Sequence, residues 1–234
     1  MILIYVLLLF LLIILVFRFC EFLSLGFPKF QLNPSALYTF YGAPGSGKTT
    51  LLCHFAVRAI KSGIKVYSNV PISGCLEFDK TDLGKYLMED CLILWDEVGV
   101  DANSRNFKAN FTLDQIRFLK YHRHERAEIM VFSQGFDDAD KIIRTLSTEL
   151  FVVRKGFFKT VSYRRIAKRP DIDDITHKPD DIYFFAPLSK KRIFCPVLWK
   201  HFDSYSRLGL PEKENWNLYG SNDEDVSPSD AQSK

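Results

Sequence analysis

The sequence predicts an α/β fold: a mainly parallel sheet flanked by helices, an added antiparallel edge, and an N-terminal transmembrane helix. Three observations predict it. Short apolar runs alternate with amphipathic stretches between Ala36 and Arg154, which is the pattern of strand–helix–strand units. The apolar runs after Phe157 follow one another without a helical pattern between them. Ile2 to Phe17 reads ILIYVLLLFLLIILVF, sixteen apolar residues without a charge.

The N-terminal run is about 24 Å long as a helix, slightly short of a hydrocarbon core of about 30 Å. Phe19, Cys20, Phe22 and Leu23 extend it if Arg18 and Glu21 snorkel or pair. A cleaved signal peptide would carry a basic segment before the run and a small-residue cleavage site after it; neither is present. A core helix would need burial on every side. Arg18 and Lys29 follow the run and no basic residue precedes it, so the C-terminal side is expected to be cytoplasmic. The expected organisation is a lipid-embedded helix over 1–24, a linker over 25–35, an α/β domain over 36–212 and a disordered acidic, polar tail over 213–234.

Within the domain, Ala36–Tyr41 reads as a strand and Lys48–Lys61 as a helix closed by Ser62–Gly63. Lys65–Ser68 and Cys91–Trp95 are the next strands, and Leu113–His124 is a helix. Ile129–Ser133 is a fourth strand, Ala139–Leu146 a short helix and Leu150–Arg154 a fifth strand; Phe157–Ile166 and Ile182–Ala186 form the antiparallel addition. The chain has 234 residues and a formal charge of +3, a balance that makes no general case for a nucleic-acid partner. Its five cysteines (Cys20, Cys53, Cys75, Cys91, Cys195) are scattered and form no C-x-x-C pair. Reduced thiols in a cytoplasmic domain are the expectation. His122 and His124 are two apart on the predicted helix and point in different directions, so they make no shared metal site.

One segment carries phosphate chemistry. Gly42-Ala43-Pro44-Gly45-Ser46-Gly47-Lys48-Thr49 fits G-x-x-x-x-G-K-[ST], with an apolar strand entering it and an amphipathic helix, beginning with Thr50, leaving it. The glycines let successive N–H groups turn toward phosphate oxygens, and the helix N-terminus adds its positive dipole end. Lys48 supplies a charge for the β- and γ-phosphates, and Thr49 a hydroxyl ligand for Mg²⁺. About 50 residues later (the count from Lys48 to Glu97) the apolar strand Cys91–Trp95 ends in Asp96-Glu97. In a parallel sheet that end shares an edge with the loop. Asp96 is then the second Mg²⁺ ligand and Glu97 a general base for water. A P-loop NTPase that hydrolyses ATP is the expectation.

Other candidates are less specific. Gln134, ending the strand before Gly135, is placed to sense a γ-phosphate or orient water. Arg123, Arg126 and Arg144 are candidates for an arginine finger reaching a neighbouring subunit in a homo-oligomer. Arg154–Arg169 interleaves basic and aromatic residues. It reads as a single-stranded DNA groove, an edge strand kept soluble by its charges, or a patch facing anionic lipid.

These pieces together resemble the zonular occludens toxin family, which includes the assembly ATPases of filamentous phages. The resemblance covers roughly 36–166 and rests on GAPGSGKT, SNVP at Ser68–Pro71, LILWDE, LKYHRHERAEIMVFSQ at Leu119–Gln134 and DDADKIIRTLSTELFVVRK at Asp137–Lys155. It implies a protein of the host cytoplasmic membrane that uses ATP to extrude phage while coat protein replaces the DNA-bound single-strand-binding protein. Family members commonly carry the membrane helix after the ATPase domain; here it comes first, and toxin activity is not implied. A DNA-packaging or translocating ATPase of the FtsK/HerA type is the second reading, and a nucleotide-dependent membrane scaffold the third.

Overall fold

A computed structural model of the chain describes residues 2–25, 29–97, 111–136, 141–172 and 179–202. The chain divides into two compact units, Met1–Ser204 and Tyr205–Lys234. The expected tail, 213–234, lies outside the described residues, as does the start of the predicted helix at Ala139.

Helix α1 covers Ile2–Leu25, which is about 36 Å of helix. Its described side chains from Leu3 to Val16 are all exposed. Among the described residues no helix is long and apolar enough to cross a membrane. The linker after α1 is fastened to the domain. The Phe30 N–H donates to Ser62 Oγ at 3.0 Å and the Asn33 N–H to Glu128 Oε2 at 2.7 Å, while Phe30 and Leu32 pack on the core.

The domain follows the predicted alternation closely. Strand β1 is Leu37–Tyr41, α2 is Lys48–Lys61, β2 is Lys65–Ser68, β3 is Leu76–Glu77 and β4 is Cys91–Trp95. Then come α3 (Leu113–Tyr121), β5 (Glu128–Ser133), α4 (Lys141–Leu146), β6 (Glu149–Lys155), β7 (Thr160–Ile172), β8 (Pro179–Phe185) and β9 (Lys191–Phe194). The sheet order is β3-β2-β4-β5-β1-β6-β7-β8, with β9 also paired to β7. Strands β1 to β6 run parallel; β7 is antiparallel to β6, and β8 and β9 are antiparallel to β7.

The two central strands β4 and β5 are buried along their whole length, as a parallel strand covered on both faces must be. Phe40 anchors one face, stacked on Phe132 at 4.8 Å and Phe151 at 4.9 Å between ring centroids. Leu51, Leu52 and Phe55 of α2 close that face. On the other face Trp95, Ile93 and Ile129 pack with Phe118 and Leu119 of α3 and Ile143 of α4.

Several predicted boundaries move: β1, β5 and β6 by single residues, and β8 to Pro179–Phe185 from the expected Ile182–Ala186. Helix α3 ends at Tyr121 rather than His124, because His122 to Arg126 fold into turns: His124 N–H donates to Tyr121 O and Ala127 N–H to His122 O. Strand β7 begins at Thr160 rather than Phe157, since 156–159 make the turn from β6, and it runs on to Ile172. Strands β3 and β9, two and four residues long, have no predicted counterpart. Such short pieces carry too little periodicity to register in a sequence.

Candidate functional site

The loop from Gly42 to Gly47 leaves the tip of β1 and enters α2 directly. Gly42 N–H donates to Ser133 O at 3.1 Å, tying the loop to the tip of β5, and Leu51 N–H closes the first helical turn on Gly47 O at 2.9 Å. Two of its glycines are sterically required. A Cβ on Gly42 would lie 2.4 Å from Ser46 Oγ and 2.8 Å from Val153 O. Gly47 adopts φ +93°, and a Cβ there would lie 2.3 Å from Val161 Cγ2 of β7. Ala43, Pro44 and Gly45 are exposed at the crest of the loop, and Thr50 is half-buried behind it.

Lys48 is only 7% exposed. Its ammonium folds back on the loop, donating to Gly42 O at 2.8 Å and Ala43 O at 3.3 Å. Burial lowers its pKa, opposed by the fields of Asp96 and Glu97. Ser46 Oγ is buried with no hydrogen-bond partner among the described residues, an unsatisfied group that a phosphate oxygen would satisfy.

Asp96 stands at the end of β4 on the same sheet edge, 4% exposed. Thr49 Oγ1 donates to Asp96 Oδ2 at 2.8 Å. Oxygens in adjacent positions of a Mg²⁺ octahedron, each at about 2.0–2.1 Å, stand about 2.9 Å apart, so the pair fits such an ion. The Asp96 pKa is raised, chiefly by burial and also by the field of Glu97, with bonds from the Thr49 hydroxyl and the Glu97 N–H and the field of Lys48 only partly offsetting this. Glu97 is exposed and takes φ +52°, a strained backbone for a side chain of its size. Gln134 Nε2 makes a long bond of 3.4 Å to Glu97 Oε1. The strand order explains that meeting: β5 lies between β1 and β4, so Gln134 projects between the loop and the acidic pair.

Asn69 was not among the sequence candidates for the site, although it lies in the SNVP segment. Its Oδ1 accepts from Asp96 N–H at 2.8 Å, and its Nδ2 donates to Asp96 O at 2.9 Å. Both backbone groups of Asp96 are thus held by one side chain from the end of β2. The signal available was a polar amide just past a buried strand, but its partner depends on β2 pairing with β4.

The arginines do not join this cluster. Arg126 pairs with Asp90 near the start of β4, at the opposite sheet edge. Arg123 is exposed in the turns before β5. The Arg144 guanidinium lies 5.2 Å from the centre of the Phe136 ring. Among the described residues no group of three His, Cys, Asp or Glu side chains could hold a metal by itself.

No protein-family model and no curated protein matches the chain. Solved structures similar to it include the genome-packaging NTPase of Sulfolobus turreted icosahedral virus 2 in complex with ATP-gammaS. That structure is 11% identical, with a TM-score of 0.41 over 64% of this chain and 97% of that one. They also include the N-terminal domain of zonular occludens toxin from Neisseria meningitidis, 15% identical, with a TM-score of 0.48 over 73% of this chain and 100% of that domain.

Proposed function

We propose that this chain is a membrane-anchored ATPase that uses hydrolysis to drive assembly and extrusion of a filamentous phage. One observation carries the enzymatic part: Thr49 and Asp96 place two oxygens 2.8 Å apart beside the buried ammonium of Lys48. The loop amides and Lys48 bind the triphosphate, with Lys48 exchanging its two carbonyl acceptors for phosphate oxygens. Thr49 and Asp96 would hold Mg²⁺, which when bound would supply charge neutralisation for the phosphates. Glu97 takes the proton of the attacking water, and Gln134, bonded to Glu97, orients that water. Arg123, Arg126 and Arg144 are the candidates for a cation supplied across a subunit interface of a homo-oligomer.

The anchor reading rests on the charge-free run from Ile2 to Phe17 and the exposure of Leu3–Val16. It places α1 in the host cytoplasmic membrane and the ATPase domain on the cytoplasmic side. Coat protein as the partner follows from the family resemblance of the motifs. The test is ATP turnover by the full chain in liposomes, with and without coat protein. Lys48→Ala should abolish turnover. Glu97→Gln should lose about 10²–10⁴-fold yet still bind ATP; equal turnover by Glu97→Gln and the parent removes Glu97 from the mechanism.

A second reading, a DNA-translocating ATPase, has one observation in its favour. Arg154 and Arg164 flank Phe185 at 5.7 and 5.0 Å on the antiparallel edge. It predicts hydrolysis stimulated by DNA and steeply weakened by salt. A rate unmoved by single-stranded and duplex DNA but raised by coat protein rejects it.

A further inference from the structure

The turn between β6 and β7 carries the two most exposed aromatic side chains among the described residues, Phe157 at 89% and Phe158 at 91%. The turn is well bonded. Gly156 N–H donates to Thr160 O at 2.8 Å, and the Thr160 hydroxyl donates to Phe157 O at 2.7 Å. From the side, Cys195 N–H donates to Lys159 O at 3.0 Å. Phe158 and Lys159 both take left-handed backbone angles, φ 52° and 55°. That conformation is strained for residues with side chains, and such strain concentrates where a segment has work to do. A built, strained turn that presents two phenyl rings to solvent needs a partner.

The surroundings select the partner's chemistry. Lys155 and Lys159 flank the rings, and the Lys159 ammonium lies 5.2 Å from the centre of the half-exposed Trp199 ring. Neither Arg154–Arg169 nor Ile182–Phe202 contains a single Asp or Glu. Aromatic rings interleaved with lysines and free of acid suit the headgroup layer of an anionic bilayer, where rings sit at the interface and ammonium groups meet phosphates. The fold adds an independent reason. Strand β9 pairs with Thr160–Tyr163, directly after the turn, and the backbone of α1 comes near β9 and α2. The apolar helix and the aromatic turn therefore both neighbour β9.

We propose that the β6–β7 turn is a second membrane contact, in which Phe157 and Phe158 enter the headgroup region of an anionic bilayer and Lys155 and Lys159 hold its phosphates. This rests on the reading of α1 as an anchor. Because β6 is parallel to β1, the turn lies at the same sheet edge as the Gly42–Gly47 loop, so docking would set that edge toward the lipid.

The experiment uses the full chain with Phe158→Cys carrying a nitroxide, reconstituted into nanodiscs of phosphatidylcholine alone or mixed with phosphatidylglycerol. The same labelling of the parent chain corrects for its own cysteines. With phosphatidylglycerol, the nitroxide should become accessible to oxygen and shielded from a water-soluble nickel chelate. Each of Lys155→Gln and Lys159→Gln should weaken that docking about fivefold, and added salt should weaken it further. A nitroxide equally open to the nickel chelate in both nanodiscs overturns the proposal. So does shielding that grows with protein concentration and ignores lipid charge, which would assign the turn to a second copy of the chain. Flotation of the unlabelled chain with vesicles separates the two readings. A chain that fails to float loses the anchor; one that floats with a water-exposed label loses only the turn.

Discussion

The two edges of the sheet surround a buried carboxylate differently: Asp96 has several hydrogen-bond partners and Glu128 has one. At the loop edge, the Asp96 carboxylate accepts from the Thr49 hydroxyl and the Glu97 N–H, and its backbone accepts from Asn69 Nδ2 and donates to Asn69 Oδ1. At the other edge, Glu128 begins β5 buried to 2% exposure, with one bond from the linker amide of Asn33. Burial pushes its pKa up to about 7, only partly offset by that bond. The first carboxylate is fixed by several partners, and burial still outweighs them and leaves its pKa raised. The second is closed over by the linker, and its proton substitutes for the donors it lacks. Polar groups at one end are bonded around a partly open loop edge; at the other end the linker covers Glu128.

Substitutions at each edge separate these roles. The largest effect is expected from Asp96→Asn, which keeps size and backbone but removes the charge; ATP turnover should fall about 10²–10³-fold with little change in melting temperature. Glu128→Gln should leave turnover unchanged and alter stability in a pH-dependent way. The folded chain keeps the Glu128 proton up to about pH 7, whereas an ordinary glutamate loses it near 4.5. Stability held by the protonated form is therefore complete below pH 4.5 and lost as pH rises to about 7. Glu128→Gln should then be more stable than the parent by roughly 2–3 kcal/mol at pH 8, and equal to it near pH 4. Parallel melting curves for the two chains across that range would contradict the assignment. Asn69→Ala should cost about 1–2 kcal/mol in denaturant unfolding and also reduce turnover, because Asp96 loses its backbone clamp. The smallest effect belongs to Asp90–Arg126, exposed on both sides. A double-mutant cycle should return less than about 1 kcal/mol and no change in turnover.

Much of this architecture was legible in the sequence because single segments carried it. Lys48–Lys61 and Cys91–Trp95 begin and end where their apolar patterns do, and the glycine spacing of 42–47 specifies its own turn. What escaped depends on neighbours distant in the chain. Asn69 meets Asp96 only because β2 pairs with β4, and Gln134 meets Glu97 only because β5 is threaded between β1 and β4. The linker read as a break in structure, since nothing in GFPKFQLNP announces Ser62 or Glu128 as its partners. Strand β9 is four residues long and exists because β7 offers it an edge.

Val161 is the first residue of β7 to point into the core, and its methyl group fills the space where Gly47 would carry a side chain. The appended antiparallel ribbon therefore butts directly against the hinge between loop and helix α2. Trimming Val161 to alanine would open that contact without removing a charged group.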